Sequence, residues 1–325
     1  MGACRQLTHD QLRAFERDGV LVVPSVVPRD KREAVRSAVA AFAGLHADHP
    51  DGWHRWGDRS VYDDPPDVSG REGFVQLFHH ASLWAIRQDP QVVSIFQDVL
   101  DTEALYVNSD RVSFLPPTAE GEALPHSLHF DVDLRPAARC PHVPLVVQGL
   151  VYLTDTPAER GALEVARGFH HKVAAHIASH PTEDPAATLL DGAVVEPVPG
   201  RAGDLVLWNA MIPHKPGTNV SAAPREAVYL SYSPVQDNAA HSPYGLADAG
   251  TTAYESVFRG SDMDAPPPPR LTRASRVERW AQRLPLLAED PREDALPVRP
   301  PGEEDGTPCA LTALGRRLVG LDDWP

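Results

Sequence analysis

The chain has 325 residues, enough to bury a sizeable core, and its 30 Lys+Arg against 45 Asp+Glu give a formal charge of −15. That balance disfavours polyanionic partners, so no nucleic acid or anionic membrane surface is expected, while small polar or neutral substrates stay open. Three widely spaced cysteines, Cys4, Cys140 and Cys309, with no CxxC pair, point to neither a disulfide framework nor a zinc knuckle, and the N-terminus MGACRQLTHDQL has no apolar targeting core, so a reducing, cytoplasmic setting is expected.

Thr8 and Gln11 have the spacing of a capping box and predict a short helix ending near Gly19, followed by the strand-like run GVLVVPSVV. After Asp30, the residues Val35, Ala38, Val39, Phe42 and Leu45 recur at helical spacing and predict an amphipathic helix with one buried stripe. The stretch from Ala47 to Arg71 is rich in Asp, Pro and Trp and has no period, which predicts a long loop. Such loops are often lids; Trp53, Trp56 and Tyr62 would either cover a site or tuck into the core, and the sequence does not separate the two. Leu83 to Leu100 is again helical, interrupted at Pro90.

From Leu105 to Pro234 the period changes to two. Strands are predicted at LYVNSDRVSFL, SLHFDVDL, PLVVQGLVYLTD, DLVLWNAM and REAVYLSYS, separated by Gly and Pro. Strands in succession, without alternating helices, argue for an antiparallel sandwich or barrel. The remainder, with four prolines at 266–269, predicts an irregular extension. The expected organisation is a single domain over 1–325: a helical N-terminal region over 1–104 with the lid candidate 47–71, a β core over 105–234, and a Pro-rich extension over 235–325.

In LHFDVDL, His129, Asp131 and Asp133 share one strand face and the apolar residues the other. His129 and Asp131 leave that face with Cα atoms about 7 Å apart, close enough to converge on one metal ion. A third ligand is at hand in His214, which the sequence places in the turn just after DLVLWNAM, and Arg225 opens the next strand. Two histidines and one carboxylate leave three metal positions open, as non-haem Fe(II) oxygenases require, although zinc hydrolases use similar ligands. Arg225 favours the first chemistry, because its fork of donors suits a cosubstrate with a carboxylate at the end away from the metal. Asp133 is expected to be solvated or to face substrate, His126 and His142 to be loop residues, and Trp208 to pack in the core.

The pieces HFD at 129–131, QGLVYLTDTPAERGALEVARGFHH at 148–171 and GRAGDLVLWNAMIPHKPGTNVSAAPREAVYLSYSP at 200–234, in that order, resemble the phytanoyl-CoA dioxygenase-like branch of the Fe(II)/2-oxoglutarate-dependent oxygenases. The resemblance implies a mainly β chain with flanking helices around a double-stranded β-helix (jelly roll, cupin-like) core. It implies His129, Asp131 and His214 as iron ligands, Arg225 as the partner of the 2-oxoglutarate C5 carboxylate, and O2 as the oxidant. Where the family often has Ser or Thr two residues after the distal histidine, this chain has Pro216, so that cosubstrate contact would move to Thr218 or Ser231; Gly168 and His170 of a family turn are kept, with Phe169 in place of its serine. The implied reaction converts 2-oxoglutarate to succinate and CO2 while hydroxylating an unactivated C–H bond, with desaturation, epoxidation and cyclisation left open; with no Lys and Arg cluster to take acyl-CoA phosphates in a chain at −15, a small metabolite or natural-product intermediate is the expected substrate. Halogenation is disfavoured because Asp131 keeps the carboxylate ligand. The alternative is a non-redox metal-binding jelly roll, a zinc hydrolase or isomerase or a binding module, against which Arg225 argues. The oligomeric state is left open.

Overall fold

The computed structural model describes residues 5–50, 53, 73–75, 77, 80–108, 111–118, 128–130, 147–179, 193–235, 311–318 and 322–325. The capping box forms. The Thr8 hydroxyl accepts from Gln11 N at 3.2 Å and the Gln11 side chain accepts from Thr8 N at 2.9 Å, so α1 (His9–Asp18) starts where the spacing puts it and ends at Gly19 in the left-handed region, φ 69°. β1 (Val20–Val23) follows, then α2 (Arg29–Ala43), which buries Val35, Ala38 and Val39. Pro90 is the first residue of a new helix, not a kink: α3 (Ala81–Arg87) stops, and α4 (Pro90–Leu100) begins with Asp89 accepting from the N–H groups of Gln91 and Val92.

The strands are β2 (Phe74–Val75), β3 (Leu105–Asn108), β4 (Val112–Leu115), β5 (Val147–Tyr152), β6 (Leu163–Val165), β7 (Glu196–Val198), β8 (Leu205–Asn209), β9 (His214–Pro216) and β10 (Arg225–Pro234), with α5 (Val173–Ser179) after β6 and α6 (Ala313–Leu318) near the C-terminus. The large sheet runs β1-β8-β5-β10-β4-β2, with β3 also on β10; the small sheet runs β7-β6-β9, and His129 bridges to His214 on the other side of β9. All these pairings are antiparallel. From β4 onward the chain passes between the two sheets: β4 large, Leu128–Phe130 small, β5 large, β6 and β7 small, β8 large, β9 small, β10 large. That winding is the double-stranded β-helix, here extended by β1 and β2 at the edges of the large sheet.

Two local expectations change. LYVNSDRVSFL is two strands, both on β10: Asn108 lies opposite Ser231 and Val112 opposite Val228, so one extra residue is accommodated between them. His214 is not in a turn but opens β9, because the chain crosses from β8 to the small sheet over Ala210–Pro213 and then pairs with β6.

β10 shows how period two sorts the interior. Val228, Leu230 and Tyr232 face the helices, in a core shared with Val35, Val39, Leu83, Ile86, Ile95 and Phe96, while Ala227 faces the small sheet and shares a second core with Leu150, Tyr152, Leu163, Val165, Val198, Val206 and Trp208. Gly149 lets α4 approach the outer face, since a Cβ there would lie 3.0 Å from the Phe96 ring. Of the loop aromatics, Trp53 is buried, donates to the His46 carbonyl at 2.7 Å and meets Phe114 edge-on, so it is tucked into the core; Trp56 and Tyr62 lie outside the described residues. Among the described residues no helix is long and apolar enough to cross a membrane.

Candidate active site

His129 and His214 meet where the 128–130 segment lies along β9. Each backbone N–H donates to the other's carbonyl, at 3.1 and 2.9 Å, and the imidazole centroids are 4.7 Å apart. His214 is 5% exposed, and its Nδ1 lies 3.1 Å from the Ile212 carbonyl. A carbonyl can only accept, so Nδ1 carries the proton and Nε2 the lone pair, the tautomer in which Nε2 can ligate a metal. The Trp208 ring packs on His214 with centroids 5.2 Å apart. Among the described residues no third His, Cys, Asp or Glu completes a metal site with this pair. Asp131, expected to be that third ligand, lies outside the described residues, as do Asp133, His126 and His142.

Arg225 opens β10 on the same inward face and is 1% exposed. Its Nη2 donates to Ser113 Oγ at 2.6 Å and to the Tyr229 hydroxyl at 3.2 Å, and Nη1 donates to the Gly161 carbonyl at 3.2 Å. Its Nε is buried with no hydrogen-bond partner, and no carboxylate among the described residues pairs with the guanidinium. The charge is felt nearby: burial pushes the Tyr152 hydroxyl up to about 12, with the positive charge of Arg225 the largest influence in the opposite direction.

The two residues expected to replace the lost cosubstrate hydroxyl sit elsewhere. Thr218 is exposed in the turn after β9, whereas Ser231 is buried on the inward face of β10 but six residues from Arg225, about 20 Å along an extended strand. The hydroxyls that reach Arg225 belong to Tyr229 and Ser113. Tyr229 shares a strand face with Arg225 at the i+4 position, a signal the sequence carries; Ser113 comes alongside only because β4 pairs with β10, placing it opposite Ala227.

The side chains fit the groups that the resemblance implies. Two imidazoles converge with the distal one in a ligating tautomer, and a buried cation with an unused N–H and no carboxylate partner among the described residues calls for an anion. Residues 15–227 match the family model described as Phytanoyl-CoA dioxygenase (PhyH). A relative from Bordetella bronchiseptica named ectoine dioxygenase is 23% identical over 260 residues, spanning 74% of this chain and 80% of its own. One of the same name from Nocardia farcinica is 22% identical over 250 residues, 70% of this chain and 78% of its own. Among solved structures, the non-heme alpha ketoglutarate dependent carbocyclase SnoK from nogalamycin biosynthesis is similar at 21% identity and a TM-score of 0.49, covering 73% of this chain and 88% of that one. With more than half of its length matched to one family model, the chain belongs to the phytanoyl-CoA dioxygenase family, and it is an Fe(II)- and 2-oxoglutarate-dependent dioxygenase.

Proposed function

We propose that the protein hydroxylates an unactivated C–H bond of a small metabolite or natural-product intermediate, with His129, Asp131 and His214 holding the iron and Arg225 the far carboxylate of 2-oxoglutarate. The observation that carries this reading is the state of Arg225: buried, without a carboxylate among the described residues, and with Nε unpartnered. A guanidinium left so would cost several kcal/mol, a cost that a bound carboxylate offsets through charge-assisted hydrogen bonds. The relatives named ectoine dioxygenase support a small-molecule substrate.

When bound, the iron and its cosubstrate supply the activation of dioxygen; the protein's own residues bind, orient and exclude water. Ser113, Tyr229 and the Gly161 carbonyl hold the guanidinium in one plane, so its remaining donors have a fixed direction. The Ile212 carbonyl holds His214 in its ligating tautomer, and the Trp208 ring covers one side of the imidazole from solvent. Leu150, Val206 and Leu163 close the interior around these groups with apolar surface.

Anaerobic titration of 2-oxoglutarate into the Fe(II)-loaded protein tests the assignment. Arg225→Ala should keep iron and weaken 2-oxoglutarate about thirtyfold to several-thousandfold, as expected for truncating one member of a buried charge pair at roughly 2–5 kcal/mol. Arg225→Lys should recover only a fraction of this, since an ammonium keeps the charge but not the fork. The His129→Ala, His214→Ala double variant should lose iron. Unchanged 2-oxoglutarate affinity in Arg225→Ala, or metal-dependent turnover without succinate, would favour the non-redox alternative.

A further inference from the structure

Among the described residues, the inward face of the large sheet carries two buried nitrogen donors without a hydrogen-bond partner, Arg225 Nε and Trp208 Nε1. The first belongs to the anion site above. The second has no use in it so far. Trp208 is 2% exposed and packs on the His214 ring. Packing alone would be served by any apolar ring, whereas an indole N–H without an acceptor costs about 1–3 kcal/mol, and native proteins leave few such donors unsatisfied. The register adds polar company: Trp208 lies opposite Gln148, and Gln148 opposite Ser231, so three inward-facing polar side chains form an uncharged row across β8, β5 and β10.

The position of the ring limits what the acceptor can be. A ligating imidazole nitrogen holds its metal at about 2.0–2.1 Å, so an acceptor reached from an indole packed at a tilt against that imidazole, with centroids 5.2 Å apart, lies near the metal. Of the two carboxylates that the function proposed above puts beside the metal, that of Asp131 is spent on the metal itself, which leaves the carboxylate that the cosubstrate turns toward the metal as the acceptor for a further donor. We propose that Trp208 Nε1–H donates a hydrogen bond to the metal-proximal carboxylate of 2-oxoglutarate, so that buried donors hold the cosubstrate at both ends, Trp208 near the metal and Arg225 far from it. The inference rests on the function proposed above.

The test is calorimetric titration of Mn(II)-loaded protein, which binds without turnover, with two ligands: 2-oxoglutarate, and 2-oxobutyrate, which keeps the 2-oxo acid end but lacks the distal carboxylate. Trp208→Phe keeps a ring on His214 and removes the donor. It should retain Mn(II), and both ligands should weaken about tenfold to a hundredfold, whereas Arg225→Ala should weaken 2-oxoglutarate and leave 2-oxobutyrate unaffected. Trp208→His, which can present a ring N–H, is the second variant and should bind both ligands more tightly than Trp208→Phe. Unchanged affinities in Trp208→Phe would overturn the inference and leave the proposed function standing. Loss of Mn(II) together with the ligands would also overturn it, because Trp208 would then act only by packing His214. Failure of the wild-type protein to bind 2-oxoglutarate would overturn both.

Discussion

Tyr229 reaches back along β10 to Nη2 of Arg225, and Ser113 reaches across from β4 to the same nitrogen, so one guanidinium corner is held by two hydroxyls from adjacent strands. Neither hydroxyl is needed for the charge, but both restrict its direction. Ser113→Ala and Tyr229→Phe should therefore each raise the KM for 2-oxoglutarate about two- to tenfold, the worth of one net hydrogen bond of roughly 0.5–1.5 kcal/mol, with kcat at saturating cosubstrate little changed. Steady-state succinate release across a 2-oxoglutarate series measures it; a fall in kcat with KM unchanged would assign these hydroxyls to the reacting end instead. At this scale the sequence was informative where a motif names its own residue. His129, His214 and Arg225 could be singled out as candidates from residue type, spacing and the order of the pieces that carry the resemblance, and the fold sets the two imidazoles side by side and buries Arg225. Ser113 could not, since nothing in VSFL says which residue of another strand it will meet. Trp208 was legible as buried but not as an unsatisfied donor, because whether an indole N–H finds an acceptor depends on carbonyls that only the fold positions.

Tyr152 joins the two sheets as elements. Its hydroxyl accepts from Leu163 N at 3.0 Å on β6 and donates to the Val198 carbonyl at 2.8 Å, a residue of β7, while its backbone stays in β5. Tyr152→Phe would leave a buried N–H and a buried carbonyl without this partner, at a cost of about 1–3 kcal/mol, read as a lowered urea midpoint with an unchanged m value. The same group sets a pH dependence. Burial raises its pKa in the folded protein to about 12, above the ordinary value of 10.0. Its contribution is therefore fully present below pH 10 and is lost as the pH rises toward 12, because the unfolded chain ionises first. Tyr152→Phe should lose less stability than wild type between those limits; parallel decline of the two would exclude Tyr152 as the source. β6, β7 and β9, the strands of the small sheet, were hard to read in advance for a related reason. Each is three residues long, too short for an alternation to repeat, and the sheet they form is specified by partners far away in the chain. The large-sheet strands of the core, β3, β4, β5, β8 and β10, four to ten residues long with one face on the helices, declared themselves, whereas β2, of two residues, did not.

The molecule as a whole is divided by the large sheet. Its outer face carries the helices and the larger apolar core, and its inner face carries Arg225, Trp208, Gln148 and Ser231 opposite the histidine pair. The C-terminal segment belongs to the outer side. Leu318 of α6 is fully buried there, Thr312 N donates to the Gln88 side chain at 2.8 Å, and Trp324 Nε1 donates to the Leu105 carbonyl at 3.0 Å. The composition of the Pro-rich tail announced an irregular extension, yet its last described residues end as a strap over α3 and β3, a contact made by a few apolar residues that no period marks. If the sheet is a stiff partition, damage on the outer side should lower stability without reaching the inner one. Leu318→Ala removes buried methyl groups and should cost about 2–5 kcal/mol in urea unfolding. The dissociation constant for 2-oxoglutarate, measured well below the unfolding transition, should stay within about twofold of wild type, since distant sites with no shared partners are close to additive. A much weaker 2-oxoglutarate affinity in Leu318→Ala would mean that packing on the helical face sets the pitch of β10, and with it the aim of Arg225, so that strap and site act as one unit.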